Sequence, residues 1–398
     1  MSESLAKVGC ALMGAHSTGA NAERKRGIRC GLMNEGEKTE PDMIDPEKNE
    51  PVLAITTAPN ALSQTTTRRP RGFRRILRVA LMLASVFAVT GLAAGIWIWN
   101  DPATAFRLAM AAGHANAGVT ERFTEIEGHR WRVLDTDSPT NALAPSDASS
   151  TSPRPTALVL HGLGTSAEAM MGVAAILRGT HRVVIPDLPG FGEHAMHGDL
   201  PHDWRFYIDE IERFRVHEGL GQVDVVGTSM GGAFAAAYAA TYPDSVRRIV
   251  LLSPAGIVAP KQNEFMARVA NGELPLDIKD DASFADVLRL NFPNPPPMPE
   301  PIRRAFVERA IDHREAFLKI VEDLRPFLVS GCEELMPKIK APALVLYGEL
   351  DLLTDPSMLS VWRLGLANMD GEVLPDAGHV LLYDKGREIA ERMRRHLE

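Results

Sequence analysis

The sequence predicts an α/β fold, a mostly parallel sheet with helices on both faces, with an inserted helical cap and a single transmembrane helix ahead of it. Three observations predict it. After Val119, short and continuously apolar runs alternate with amphipathic stretches. The alternation breaks once, into a wholly helical pattern, and an uncharged stretch of about twenty residues precedes everything. The 398 residues are 45% hydrophobic, which is enough for a sizeable core. A formal net charge of −8 argues against a nucleic-acid partner, because phosphate neutralisation needs a basic surface. Cys10, Cys30 and Cys332 lie far apart, so neither a disulfide framework nor a clustered zinc site is expected.

Taken in order, residues 1–70 are rich in Gly, Thr, Asn, Glu and Lys without a sustained period, the pattern of a disordered tail. Arg68, Arg69, Arg71, Arg74, Arg75 and Arg78 then lead into the charge-free run from Val79 to Trp99. In hydrocarbon the backbone must pair internally, so a transmembrane helix is expected over 76–99, with Trp97 and Trp99 at the far headgroup layer. The arginines keep the N-terminus cytoplasmic and put the remainder on the far side, periplasmic if the source is bacterial. With some seventy residues ahead of it, the segment reads as a retained signal anchor rather than a cleaved signal peptide.

Glu121 to Thr136, with a Glu127-Gly128 turn, reads as an antiparallel hairpin, and Ser138 to Pro155 as a loop. Ala157 to Leu160, Val183 to Ile185, Val223 to Val226, Ile249 to Leu252 and Ala343 to Tyr347 have the unbroken apolarity of strands buried on both faces. Helical stretches at Ala167 to Leu177, Tyr207 to Val216, Gly232 to Tyr242 and Arg387 to Leu397 separate or follow them. The core is expected over 119–256 and 341–398. Between them, 257–340 keeps helical spacing around a proline-rich connector from Pro293 to Pro301, the pattern of a helical cap.

Gly227-Thr228-Ser229-Met230-Gly231 sits between an apolar strand and a helix of small residues, where a sharp turn would hold a hydroxyl out for attack. A serine nucleophile needs a base, and the base needs an orienting acid. His379, after the run Gly371 to Leu374, and Asp351, just past the strand Ala343 to Tyr347, stand in the chain order Ser, Asp, His. Asp355 and Asp376 compete for the acid's role, and read instead as a helix cap and a turn residue. The backbone amides of Met230 and Leu163 are the candidate oxyanion donors. His161 reads as a buried, hydrogen-bonded residue shaping its loop. His194, His197 and His202 lack carboxylate or cysteine partners at ligand spacing, so they read as a solvated loop rather than a metal site.

His161-Gly162, Asp187 to Gly192, Gly227 to Gly232, Ser253 to Gly256, Gly348 to Asp351 and Gly378-His379 together resemble the α/β-hydrolase superfamily over Ala157 to Glu398. Within it the chain is most similar to the membrane-anchored monoacylglycerol lipases. The resemblance implies a serine hydrolase that splits carboxylic esters through an acyl-serine intermediate, without metal or organic cofactor, on a lipid such as a monoacylglycerol. The cap residues Phe265, Met266, Phe284, Phe306 and Phe317 are candidates to line an acyl pocket. Carbon–carbon bond hydrolases and soluble-ester carboxylesterases share such capped folds, and a non-catalytic membrane-tethered binding module is the alternative from another class.

Overall fold

The computed structural model describes residues 99–137, 154–192 and 202–398, together with scattered positions between 82 and 97. One compact unit takes in Gly95–Glu398. In a second unit, Thr18–Ala94, the described residues 82, 84, 85, 88 and 90–92 are helical. The tail expected over 1–70 lies outside the described residues, as does much of the transmembrane helix expected over 76–99. Among the described residues no helix is long and apolar enough to cross a membrane.

Among the described residues eight strands form one sheet: β1 (Thr120–Ile126), β2 (His129–Asp135), β3 (Thr156–Leu160), β4 (Arg182–Pro186), β5 (Val223–Thr228), β6 (Val246–Leu252), β7 (Ala343–Gly348) and β8 (Met369–Leu374). Their spatial order is β1-β2-β4-β3-β5-β6-β7-β8, and every pair from β4 to β8 is parallel. β1 and β2 form the expected hairpin, Thr120 opposite Asp135 and Ile126 opposite His129, and β2 runs antiparallel to β4. Glu127 and Gly128 both take positive φ, 50° and 83°, which matches the twist of the flanking strands. Burial alternates along β1, as on an edge strand with one wet face, whereas β3 and β7 are buried at every residue.

A helix opens the unit where the sequence carries only a weak amphipathic signal. α1 (Pro102–Ala117) is capped by Asp101, whose side chain accepts from Thr104 N at 3.1 Å, and ends at Gly118 in the left-handed region. Around the sheet follow α2 (Met171–Leu177), α3 (Trp204–His217) and α4 (Met230–Thr241), and, after β7, α9 (Met358–Gly365) and α10 (Leu381–Leu397). Between β6 and β7 the chain leaves the sheet for four helices, α5 (Glu264–Ala270), α6 (Asp281–Asn291), α7 (Glu300–Asp312) and α8 (Arg314–Ser330). Prolines fill the α6 to α7 connection, and Pro301 enters the first turn of α7, where its missing N–H leaves no helical bond unmade. α1 packs against this cap: the rings of Phe106 and Phe306 meet edge to face with centroids 5.2 Å apart.

The two sheet faces bury separate cores. One joins Trp131, Tyr207, Phe234, Tyr238 and Trp362. The other joins α1, α2 and α10 through Ala105, Ala109, Met171, Leu177, Ile389 and Met393. α4 has no polar face, because it is buried at every residue from Met230 to Ala240; its run of Gly and Ala lets it lie close against the sheet. A buried ion cluster ties the hairpin to the core: the Arg132 guanidinium meets Glu168, Asp187 and Glu121, and Glu168 also bonds His114 on α1.

Candidate active site

Because β5, β7 and β8 are parallel, the residues that follow them emerge at one edge of the sheet: Ser229, Asp351 and His379. Ser229 stands between β5 and α4 with φ 53° and ψ −118°, a conformation that costs a side-chain-bearing residue about 1–3 kcal/mol. Neighbouring backbone holds it there. Ser229 N donates to Leu252 O at 2.9 Å, and its carbonyl accepts from Ala255 N at 3.1 Å. The glycines on either side are needed for space: a Cβ on Gly227 would sit 2.1 Å from Gly231 O, and one on Gly231 would sit 2.2 Å from Leu160 O. Only a turn without those side chains can pass this close to β3.

The loop after β3 reaches the same point. A Cβ on Gly162 would lie 3.5 Å from Ser229 Cβ, so Leu163 follows within a residue of the serine, while Met230 is buried at the start of α4. His161 fixes the loop. The amide of Leu188 can only donate, and it donates to His161 Nε2 at 3.0 Å; Nδ1 therefore carries the proton and donates to Gly162 O at 2.9 Å. Burial pushes the His161 pKa down, which agrees with this neutral form. The ring thus has both nitrogens committed to backbone. Phe317 of α8 covers the next position, 3.1 Å from where a Cβ on Gly164 would stand.

His379 and Asp351 are 5% and 4% exposed, and His379 Nδ1 lies 2.9 Å from Asp351 Oδ2. The carboxylate is fully engaged. Oδ1 accepts from the amides of Leu353 and Thr354 at 2.8 and 2.9 Å, and Oδ2 accepts from the Thr354 hydroxyl at 2.7 Å. A carboxylate so placed can only accept, so it sets the proton of the imidazole on Nδ1 and turns Nε2 to the other side. Asp355 accepts from Ser357 N ahead of α9, and Asp376 stands at φ 55° in a turn, so neither meets the histidine.

The cap grips both loops. His379 N donates to Asn291 O at the end of α6 (3.1 Å), and Asn263, the N-cap of α5, donates through Nδ2 to Leu353 O (3.2 Å) while its Oδ1 caps Met266 N. These cap contacts carry no periodic signal in the sequence: the first is backbone to backbone and open to any residue type, and the second rests on a single asparagine. Among the cap candidates, Phe284 is buried and stacks on Phe306 at 6.2 Å; since Phe306 also meets Phe106, these two rings are occupied in packing the cap. Phe265 and Met266 are half-buried on α5. A separate cleft of 640 Å³ opens beside Asp351, lined by Lys261, Asn263, Asp355 and Ser357 but by neither Ser229 nor His379.

One expectation is corrected. His202 is not solvated: it is buried beside the Tyr207 hydroxyl, and burial lowers its pKa. His194 and His197 lie outside the described residues, and no metal-binding group of side chains occurs among the described ones. Cys332 is a buried free thiol whose pKa is raised by burial, and it packs under Gly256.

Residues 155–386 match the family described as alpha/beta hydrolase fold. Lipase 1 of Psychrobacter immobilis is 30% identical over 243 residues, which cover 59% of this chain and 74% of that protein. Monoacylglycerol lipase ABHD6 of Homo sapiens is 28% identical over 253 residues, covering 60% of this chain and 74% of its own. Among solved structures, a membrane phospholipase A, described as a bacterial virulence factor, superposes with a TM-score of 0.69 at 27% identity and covers 80% of this chain and 98% of that one.

Proposed function

The chain belongs to the α/β-hydrolase family and is an ester hydrolase of the lipase kind, and we propose that it is a membrane-anchored serine hydrolase acting on monoacylglycerols or related lipid esters. In this reading Ser229 Oγ attacks the ester carbonyl carbon, and His379 Nε2 takes its proton and passes it to the departing alkoxide. Asp351 holds the ring and stabilises the imidazolium. The backbone amides of Leu163 and Met230 receive the oxyanion, a contribution of about 3–4 kcal/mol per donor in enzymes of this type. Water, activated by the same histidine, then releases the acid from the acyl-serine. The observation that carries this reading is the 2.9 Å contact of His379 Nδ1 with Asp351 Oδ2 at the edge of the sheet where Ser229 is held at positive φ.

The chain is read as a catalytic core over 119–256 and 341–398, closed by the cap over 257–340. Phe265, Met266 and Phe317 face the acyl chain. Phe284 and Phe306 shape that surface from behind. Two facts support a lipid substrate: the charge-free segment from Val79 to Trp99 behind its arginines, and the likeness to proteins named as a monoacylglycerol lipase and a membrane phospholipase. Tethering at a bilayer raises the encounter rate with molecules that partition there. In this arrangement 76–99 spans the membrane, the N-terminus is cytoplasmic and the hydrolase lies on the far side.

The test is fatty-acid release from a long-chain monoacylglycerol and from a short soluble ester, in detergent, by wild type, Ser229→Ala and His379→Ala. Both substrates are expected to be cut by the wild type and by neither variant. Cleavage of the soluble ester alone would remove the lipid assignment, and turnover surviving in Ser229→Ala would remove the nucleophile. Resistance of the full chain to carbonate extraction tests the anchor.

A further inference from the structure

We propose that Thr354 is a positioning residue of the acid and base, a role that rests on the reading of Ser229, Asp351 and His379 as a triad. Its hydroxyl is buried and lies within hydrogen-bond distance of three groups: Asp351 Oδ2 at 2.7 Å, His379 Nδ1 at 3.2 Å and Ser253 O at 3.2 Å. Proton counting orders them. The carboxylate and the carbonyl can only accept, and Nδ1 carries a hydrogen because it faces the carboxylate. The single hydroxyl hydrogen is therefore shared between Asp351 and Ser253, with the shorter contact to Asp351. The oxygen's lone pairs are left to face the Nδ1 proton, giving that proton two acceptors.

The other end of the junction is strained. Ser253 is held at φ 44°, in the left-handed region that a non-glycine residue enters at a cost, and its own buried hydroxyl has no hydrogen-bond partner. Its side chain therefore gives no reason for the conformation, but its backbone does. Ser253 N donates to Leu346 O at 2.7 Å, its carbonyl faces Thr354, and two residues on Ala255 N donates to Ser229 O at 3.1 Å. The Tyr347 hydroxyl donates to Pro254 O at 2.8 Å from below. The segment Ser253-Pro254-Ala255 thus connects the backbone of the nucleophile to the hydroxyl that touches acid and base. Thr354 is the side chain through which the two halves of the site keep register.

When the proton of Ser229 reaches Nε2, the imidazole becomes cationic, its Nδ1–H becomes a stronger donor, and both acceptors gain in strength. The Thr354 contact is therefore worth more in the transition state than with substrate bound, and its loss should fall on kcat and not on KM. The assay is hydrolysis of 4-nitrophenyl butyrate by the full chain in detergent, with Ser229→Ala as the control. Thr354→Val keeps the shape without the hydroxyl and is expected to lower kcat about tenfold with KM nearly unchanged, while Thr354→Ser restores most of the rate. In an Asp351→Asn background, adding Thr354→Val should cost little more, because both changes act through the same imidazole. The downfield proton resonance of His379 Nδ1 should move in Thr354→Val and stay in Thr354→Ser, a readout independent of substrate.

A wild-type kcat in Thr354→Val, an equal loss in Thr354→Ser, or an unmoved resonance overturns the role of Thr354 while the triad stands. If Thr354→Val does not fold, Thr354→Ala is measured against Thr354→Ser by the same two readouts. Turnover surviving in Ser229→Ala would instead defeat the triad, and with it this inference.

Discussion

In Asp351→Asn the side-chain amide must choose which end faces His379. The amides of Leu353 and Thr354 donate to Oδ1 at 2.8 and 2.9 Å, and backbone donors cannot be turned around, so the new carbonyl oxygen has to occupy that side. The NH2 group then takes the place of Oδ2, 2.9 Å from His379 Nδ1. A donor aimed at Nδ1 drives the imidazole proton to Nε2, the nitrogen that must be empty to receive the proton of Ser229. The geometry survives and the tautomer is wrong. In a serine protease the equivalent exchange lowers kcat about 10⁴-fold, which at about 1.4 kcal/mol per decade is between 5 and 6 kcal/mol of transition-state stabilisation. A loss of that order in ester hydrolysis is expected here, with an unchanged circular dichroism spectrum and a thermal midpoint within a few degrees of wild type. A folded Asp351→Asn protein with kcat within about tenfold of wild type would refute the assignment of Asp351 as the orienting acid.

The crowding at the Ser229 turn gives a second expectation. Gly231→Ala places a Cβ 2.2 Å from Leu160 O and 2.6 Å from His161 O, both backbone atoms of the central sheet and its loop. Because neither atom can rotate away, the cost should reach or exceed the usual overpacking range of about 1–3 kcal/mol, seen as a lowered denaturant midpoint together with lost activity. A midpoint equal to wild type would contradict the packing. The third concerns pH. Burial opposes ionisation of Glu168, yet hydrogen bonds from His114 and Arg132 outweigh it and hold the carboxyl well below its ordinary 4.5. A depressed carboxylate pKa contributes stability that is full above the unfolded value and is lost as pH falls below it, so wild-type stability should decline below about pH 4.5. Glu168→Gln should flatten that acid-side slope in urea titrations run at pH 3 to 7, and an unchanged slope would place the linkage elsewhere.

Much of the fold could be read from local pattern. β3, β5 and β7 are buried on both faces, and burial on both faces demands an unbroken apolar run, which is visible in a linear sequence. The Glu127-Gly128 turn follows from the left-handed conformation its two central residues must adopt. α1 carries a faint periodic signal because its apolar face is made largely of Ala105, Ala109 and Ala117, small residues that are buried in the core on one face of the sheet. His202 is buried beside Tyr207 of α3 and feels Asp323 and Lys319 of α8, an approach from a segment more than a hundred residues away that a local pattern does not display.

At the candidate site, the residue types and their order along the chain are legible locally: Ser229 on a glycine-flanked turn, and Asp351 and His379 each just past a strand. Thr354, three residues after Asp351, left the kind of trace that Ser and Thr leave beside a carboxylate in a turn, but its contacts with His379 and Ser253 arise from segments 25 and 101 residues away. The sheet, the run of helices between β6 and β7 and the candidates for nucleophile, acid and base are local in origin, since each depends on periodicity or on a few adjacent residues. Packing in three dimensions is what brings Asn291 and Asn263 onto the His379 and Asp351 loops, takes up Phe284 and Phe306, and sets a strained Ser253 between Ser229 and Thr354. Each of those contacts joins segments distant along the chain, and the pairing of distant segments is not displayed by any local run of residues.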